Sequence, residues 1–324
     1  MARKPSVLLI HPSLELVRAM VEPDCSTVNL WEYKNVTALV ADKGEDIRVI
    51  ATYGGLKVDR ELVEALPRLG LIAAVSAGYE GIDIAHAHSR GIQVVTSAGA
   101  NKDDVAELAM AMLLALTTGL EEAHRHVREG HWTAINRGPL RRSLHGRRVG
   151  IMGLGAVGRA IAERLVPFRC PTSWFGPNPK PHVPWARAGS LESLAHGSDV
   201  LIISAPLSAA TRLVVGRPVI NALGSSGLLI NVSRGGLVDQ VALIDALKSG
   251  ALGGAALDVH ATEPTPPAVW YGVPNVILTP HIGGYATRAV NLIEETLRKN
   301  IRLFLAGRSP VGTVPIDSTP KANG

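Results

Sequence analysis

The sequence predicts an α/β protein built of two doubly wound parallel-sheet domains, and three observations carry that prediction. The 324 residues exceed the usual size of one domain. Short apolar runs alternate with helical patterns along most of the chain, as in parallel sheets with crossover helices. In the middle, the stretch RRVGIMGLGAVGRAIAERL sets an apolar run, Val149 to Met152, against three glycines and then a helix-like pattern. Gly153 permits the tight strand-to-helix turn, Gly155 lets a pyrophosphate approach the backbone, and Gly158 lets the helix pack closely on the strand. The helix start, with Ala156 and Val157 in its first turn, offers N–H groups to phosphates. The central domain therefore reads as a Rossmann dinucleotide-binding domain.

The first sheet takes its strands from SVLLIHP, IRVIATYGG, GLIAAVSAG and GIQVVTSAG. From Asp103 the pattern changes to Val105, Leu108, Ala109, Met112, Leu113 and Leu116, the apolar stripe of a long helix. Asp103 and Asp104 at its start suit the helix dipole. After the glycine turn come strand candidates TSWF, DVLIISAP, GLLINVSR, GGAALDV and NVILTPH. A final helix, beginning near Arg288 and running through Ile293, Leu297 and Ile301, returns to the first sheet. The crossings fall near 98–102 and 285–290, giving one domain of 1–98 plus 289–324 and another of 99–288. The tail SPVGTVPIDSTPKANG reads as extended chain without a targeting ending.

The formal charge is +5, and the densest basic run, RGPLRRSLHGRR, lies just ahead of the glycine turn. No aromatics interleave with it, so a solvated loop is expected there and no nucleic-acid partner. The N-terminal apolar run, Val7 to Ile10, is too short for a leader core or a membrane span. Cys25 and Cys170 lack any framework spacing, which fits a reducing compartment; with the short apolar run, a soluble cytoplasmic protein without a membrane partner is expected. His86/His88 and His124/His126 are two apart, which on a helix sends them to different faces. No metal site is expected.

Three polar residues fall at or beyond strand ends, where ligands bind in open parallel sheets. Arg234 follows LLINVS, and its guanidinium suits a bidentate pair with a carboxylate or 2-oxo acid; a surface salt bridge is the competing reading. His281 follows NVILTP and titrates in the useful range, although a lone His is more often structural. Glu263, in DVHATEP, is placed to hold one imidazole nitrogen and favour the protonated ring, or else to be a solvated turn residue.

GLGAVG, PLSAATRLVVG, LINVSRGGLVD, GGAALDVHATEP and TPHIGG, in this order, resemble the D-isomer-specific 2-hydroxyacid dehydrogenase family, over nearly the whole chain. The resemblance implies that Arg234 orients the substrate, Glu263 polarises His281, and His281 donates a proton to the carbonyl oxygen during hydride transfer. It implies that the outer domain is a flavodoxin-like substrate domain, whose Ala77 and Gly78, in VSAGYEGID, meet the substrate carboxylate through backbone N–H groups. It implies cofactor contacts at Gly153, Gly155, Ala156, Val157, Gly158, Pro206, Val232 and Gly283, and a nicotinamide contact at Asp258, for which an ordinary turn role stays open. Trp132, in REGHWTAINR, resembles an aromatic that in some relatives enters the neighbouring subunit's site, which implies a homodimer; core packing is the other reading. His260 stands where many relatives place an aromatic, and either adjusts Glu263 or simply packs.

The fingerprint expects an acidic residue about twenty positions on, at the end of the second strand, for the ribose 2′-OH of NAD. Gly176 stands there, in WFGPNPKP, and Asn178 and Lys180 are available to a 2′-phosphate, so NADPH is preferred, with NADH possible. The chain looks like the glyoxylate/hydroxypyruvate reductases, which often carry an arginine directly after that glycine; here the position is Pro177, which leaves dual cofactor use open. The expected activity is reduction of a small 2-oxo acid, glyoxylate or hydroxypyruvate, to the 2-hydroxy acid, the D-isomer where chiral. Tyr53, in IATYGG, is expected to border the pocket and limit substrate size. A bulkier 2-oxo acid is the runner-up, and a dinucleotide-sensing regulatory binding protein is the alternative from a different class.

Overall fold

The computed structural model describes residues 5–22 and 24–315, which divide into two compact units, 1–101 with 287–324, and 102–286. The first unit runs β1 (Ser6–Leu9), α1 (Glu15–Val21), β2 (Ser26–Asn29), α2 (Val36–Lys43), β3 (Ile47–Thr52), α3 (Arg60–Ala65), β4 (Leu71–Ala74), α4 (Ile84–Ser89) and β5 (Gln93–Thr96). The second runs α5 (Lys102–Thr118), α6 (Leu120–Arg128), β6 (Val149–Met152), α7 (Ala156–Leu165), β7 (Thr172–Phe175), β8 (Ala186–Arg187), α8 (Leu191–His196), β9 (Val200–Ile203), α9 (Arg217–Leu223), β10 (Leu228–Asn231), α10 (Gln240–Ser249), β11 (Gly254–Leu257) and β12 (Val276–Leu278). The chain then returns to the first unit as α11 (Thr287–Leu305).

Both sheets are wholly parallel, in the orders β2-β1-β3-β4-β5 and β12-β11-β10-β9-β6-β7-β8. Parallel strands are covered on both faces, which is why they read as unbroken apolar runs. Around the first sheet, Leu8, Ile50 and Ile72 enter one core cluster, while Val7, Val49 and Leu71 enter the opposite one with Leu297 and Ile301 of α11. Around the second, Ile151, Ile202 and Ile230 pack with the α5 stripe, and Leu201, Ile203 and Leu229 pack with α9 and α10. The architecture is the two doubly wound sheets that the sequence rhythm predicts.

Two strands escape the sequence pattern. β2 is an edge strand reading STVN, with Val28 its one apolar residue, and β8 is a two-residue edge strand. After α6 the chain from 129 to 143 is exposed throughout, with Trp132 62 %, Ile135 98 % and Leu140 101 % exposed. Trp132 is therefore not part of this chain's core. Thr313 of the tail bridges antiparallel to Val95, and the part of the tail that spans 316–324 lies outside the described residues. Cys25 and Cys170 are both buried, and burial pushes the Cys170 thiol up. Among the described residues no helix is long and apolar enough to cross a membrane, and no His, Cys, Asp and Glu cluster is arranged to hold a metal ion.

Candidate active site

Arg234, Glu263 and His281 lie just beyond the carboxyl ends of β10, β11 and β12, three neighbouring strands of the second sheet. The His281 Nδ1–H donates to Glu263 Oε2 at 2.7 Å, and the His260 backbone N–H donates to Glu263 Oε1 at 2.9 Å. Both carboxylate oxygens are thus committed, and the acceptor on Nδ1 leaves Nε2 as the outward nitrogen. The Glu263 hydrogen bond pushes the His281 imidazole above its ordinary value; burial opposes this, the Glu263 charge assists, and the nearby Arg234 charge works against it. Burial disfavours ionised Glu263, but the His281 hydrogen bond, the His260 N–H and the facing imidazole charge outweigh it, so its carboxyl lies below the usual value. The two shifts describe an ion pair that keeps a proton on the ring.

Backbone packing aligns the three loops. A Cβ on Gly235 would lie 1.9 Å from the His260 carbonyl oxygen, so only glycine lets the Arg234 loop meet the segment that leads to Glu263. Asn231 Nδ2 donates to the Arg234 carbonyl at 2.9 Å, and the half-buried Arg234 donates from Nη1 to the Ser233 carbonyl at 2.7 Å. His281 itself sits in the left-handed region at φ +56°, uncommon outside glycine. The buried Asp258 carboxylate holds it there. Oδ1 accepts from Thr279 Oγ1 at 2.5 Å and Ile282 N–H at 2.8 Å, and Oδ2 accepts from Gly283 N–H at 2.8 Å. The Asp258 carbonyl also accepts the His281 N–H at 2.8 Å.

The glycine turn lies in the same sheet, on β6. Gly153 has φ +93° and donates its N–H to the Phe175 carbonyl at 2.8 Å, at the end of neighbouring β7. A Cβ on Gly158 would meet the Gly153 carbonyl oxygen at 2.1 Å, whereas one on Gly155 would meet nothing within 4 Å. Gly155 caps α7 without a side-chain bond, leaving the first N–H groups, those of Ala156 and Val157 among them, to an outside acceptor. Pro206 and Val232 follow β9 and β10 at the same carboxyl edge. An open glycine beside an uncapped helix start fits the diphosphate of a dinucleotide. At the end of β7, Gly176 supplies no carboxylate, Asn178 is exposed and Lys180 half-buried.

Residues 110–283 match the family model described as D-isomer specific 2-hydroxyacid dehydrogenase, NAD binding domain. The chain belongs to the D-isomer-specific 2-hydroxyacid dehydrogenases. It is 33 % identical over 302 residues to a hydroxyphenylpyruvate reductase of Plectranthus scutellarioides, covering 93 % of this chain and 96 % of that one. It is 34 % identical over 303 residues to a glyoxylate/hydroxypyruvate reductase of Arabidopsis thaliana, covering 94 % and 96 %. Among solved structures, an NADPH-dependent glyoxylate/hydroxypyruvate reductase of Sinorhizobium meliloti, in complex with NADP and malonate, superimposes with a TM-score of 0.86 at 31 % identity, covering 99 % and 100 %. These oxidoreductases are NAD(P)-dependent, and the relatives named for glyoxylate and hydroxypyruvate act on small 2-oxo acids.

The remaining sequence candidates of this dehydrogenase lie in the first unit and on the exposed segment after α6. Tyr53 and the Ala77–Gly78 turn occupy neighbouring strand ends, joined by Gly54 N–H to Ser76 Oγ at 2.8 Å and Ser76 Oγ–H to the Gly78 carbonyl at 3.1 Å. The N–H groups of Ala77 and Gly78 meet no acceptor among the described residues. Sequence reasoning missed the bracing of His281 from beneath. Asp258 was expected at the cofactor, and its carboxylate is committed to the 279–283 loop. His260, buried, reaches the Thr279 carbonyl from Nε2 at 3.0 Å and lies edge-on to Trp270.

Proposed function

We propose that this dehydrogenase is an NADPH-preferring reductase of a small 2-oxo acid, glyoxylate or hydroxypyruvate, giving the D-2-hydroxy acid where the product is chiral. The observation that carries this reading is the 2.7 Å His281–Glu263 pair beside Arg234 at the carboxyl edge of the glycine-turn sheet. The residues around Gly155 and the α7 start would hold the dinucleotide, which supplies a hydride to the substrate carbon when bound. His281, kept protonated by Glu263, donates its Nε2 proton to the carbonyl oxygen as negative charge develops there. Arg234 holds the 2-oxo acid through its guanidinium fork. The Ala77 and Gly78 N–H groups are our candidates for the substrate carboxylate, and Tyr53 at the adjoining strand end our candidate for limiting substrate size. We assign Gly283 to the nicotinamide end of the cofactor site, with Asp258 there as the carboxylate that holds the 279–283 loop.

The exposed apolar side chains of Trp132, Ile135 and Leu140 support a homodimer built through the segment after α6. Two cysteines without the spacing of a disulfide framework support a cytoplasmic setting. The relative named for hydroxyphenylpyruvate favours a second reading, a bulkier 2-oxo acid.

The test is initial-rate oxidation of NADPH and NADH with glyoxylate, hydroxypyruvate, pyruvate and phenylpyruvate. Fast turnover of glyoxylate or hydroxypyruvate with NADPH is expected. Turnover of phenylpyruvate alone establishes the second reading, and no turnover of any of the four transfers the case to a dinucleotide-sensing binding protein.

A further inference from the structure

The NADPH reading has a gap at Pro177, where no side chain carries a positive charge. The fold fills that gap from another direction. β8 pairs with β7 in parallel, Ser173 opposite Ala186 and Trp174 opposite Arg187, and this brings Arg187 back to the strand end from eleven residues further along. Its guanidinium lies across the turn after β7. Nε donates to the Gly176 carbonyl at 3.2 Å, and Nη2 donates to the carbonyls of Gly176 at 2.8 Å and Pro177 at 3.2 Å. Its Cζ lies 5.8 Å from the centroid of the buried Trp174 ring.

We propose that Arg187 is the residue of this chain that selects NADP(H), by receiving the adenosine 2′-phosphate on the open side of its guanidinium. The proposal rests on the NADPH reading above and supplies a cation at the strand end itself, where Pro177 has none. Carbonyl groups hold the guanidinium in place without neutralising it, and Nη1 has no partner among the described residues. No Asp or Glu occurs between 171 and 191, so no carboxylate competes for the charge locally or accepts a ribose 2′-OH. The same turn adjoins the glycine turn through the Gly153 N–H to the Phe175 carbonyl. In dinucleotide-binding sheets the adenosine ribose lies at this strand end, and an arginine there accommodates a 2′-phosphate. A planar fork already fixed by two carbonyls loses less freedom on binding than the Lys180 ammonium, which has no partner among the described residues.

The test is calorimetric titration of the full chain with 2′,5′-ADP and with 5′-AMP, which differ only in the 2′-phosphate and need no turnover. Wild-type protein is expected to prefer 2′,5′-ADP. Arg187→Gln is expected to weaken 2′,5′-ADP by about ten- to a hundred-fold, as for loss of a charge-assisted hydrogen bond, while 5′-AMP changes by less than about threefold. Arg187→Lys, which keeps the charge, is expected to retain part of the preference. It also serves as the deciding variant if Arg187→Gln does not fold. Equal weakening of both ligands, or an unchanged preference in the variants, overturns the assignment of Arg187 and leaves the NADPH reading standing. Equal binding of the two ligands by wild-type protein overturns both.

Discussion

Gly235→Ala isolates the contact that aligns the candidate active-site loops. The added methyl carbon would stand 1.9 Å from the His260 carbonyl oxygen, 2.0 Å from its carbon and 2.6 Å from Ala261 N, all backbone atoms, where real Cβ atoms keep at least 3.0 Å. The 260–261 segment has to withdraw by about 1 Å or more, because a close-packed interior offers no slack. Overpacking of this kind costs about 1–3 kcal/mol of stability. The displaced segment carries the His260 N–H that holds Glu263, and Glu263 in turn holds His281. A misplacement of about 1 Å in a reacting constellation costs about 100-fold in rate, or about 2.7 kcal/mol. Urea unfolding, kcat with hydroxypyruvate and titration with NADPH read the three consequences separately. The expected result is stability lower by about 1–3 kcal/mol and kcat lower by about 100-fold, with NADPH affinity within about threefold because the turn after β6 is not displaced. A variant with wild-type kcat and wild-type stability refutes the reasoning.

His281→Ala is expected to lower kcat by about 10²- to 10⁴-fold while leaving the NADPH dissociation constant nearly unchanged, and near-normal turnover contradicts the proton-donor role. Reduction needs protonated His281, so kcat/KM should fall as pH rises through its raised pKa, and Glu263→Gln should move that limb to lower pH; an unmoved limb separates Glu263 from the proton. The same shifts act on stability. The raised His281 contributes fully below 6.5 and is lost as pH rises through its folded-state pKa, while the lowered Glu263 contributes fully above 4.5 and is lost as pH falls. Glu263→Gln should therefore cost most stability between pH 4.5 and 6.5, as read by thermal melts across pH. Arg234→Lys should raise KM for the 2-oxo acid about tenfold or more by removing the bidentate fork, and an unchanged KM places the substrate elsewhere. Trp132→Ser with Ile135→Ser should shift the light-scattering mass of the protein from dimer towards monomer; an unshifted dimer puts the interface on another surface.

The strands buried on both faces were readable because burial on both faces writes continuous apolar runs, as in VLII of β9 and LLIN of β10. β2 and β8 were not, since STVN holds a single apolar side chain and β8 is two exposed residues long. Arg234, Glu263 and His281 stood out as polar residues placed just beyond such runs. What supports them did not. The Asp258 carboxylate reaches Thr279, Ile282 and Gly283 across more than twenty residues of chain, and Arg187 acquires its place only when a two-residue strand folds back beside β7. Such contacts are made by tertiary pairing, for which local periodicity carries no signal.

The loops bearing Arg234, Glu263 and His281 rise from β10, β11 and β12, which are consecutive in sequence and adjacent in the sheet. Their lateral spacing is therefore the pitch of the backbone ladder, about 4.8 Å per strand, rather than something each side chain must negotiate. Residues 228–283 act as a ruled platform. Lengthening or exchanging one loop leaves that strand interval unchanged, but the new loop has to keep the Gly235–His260 backbone contact and the His260 N–H bond to Glu263 if the three side chains are to stay in register.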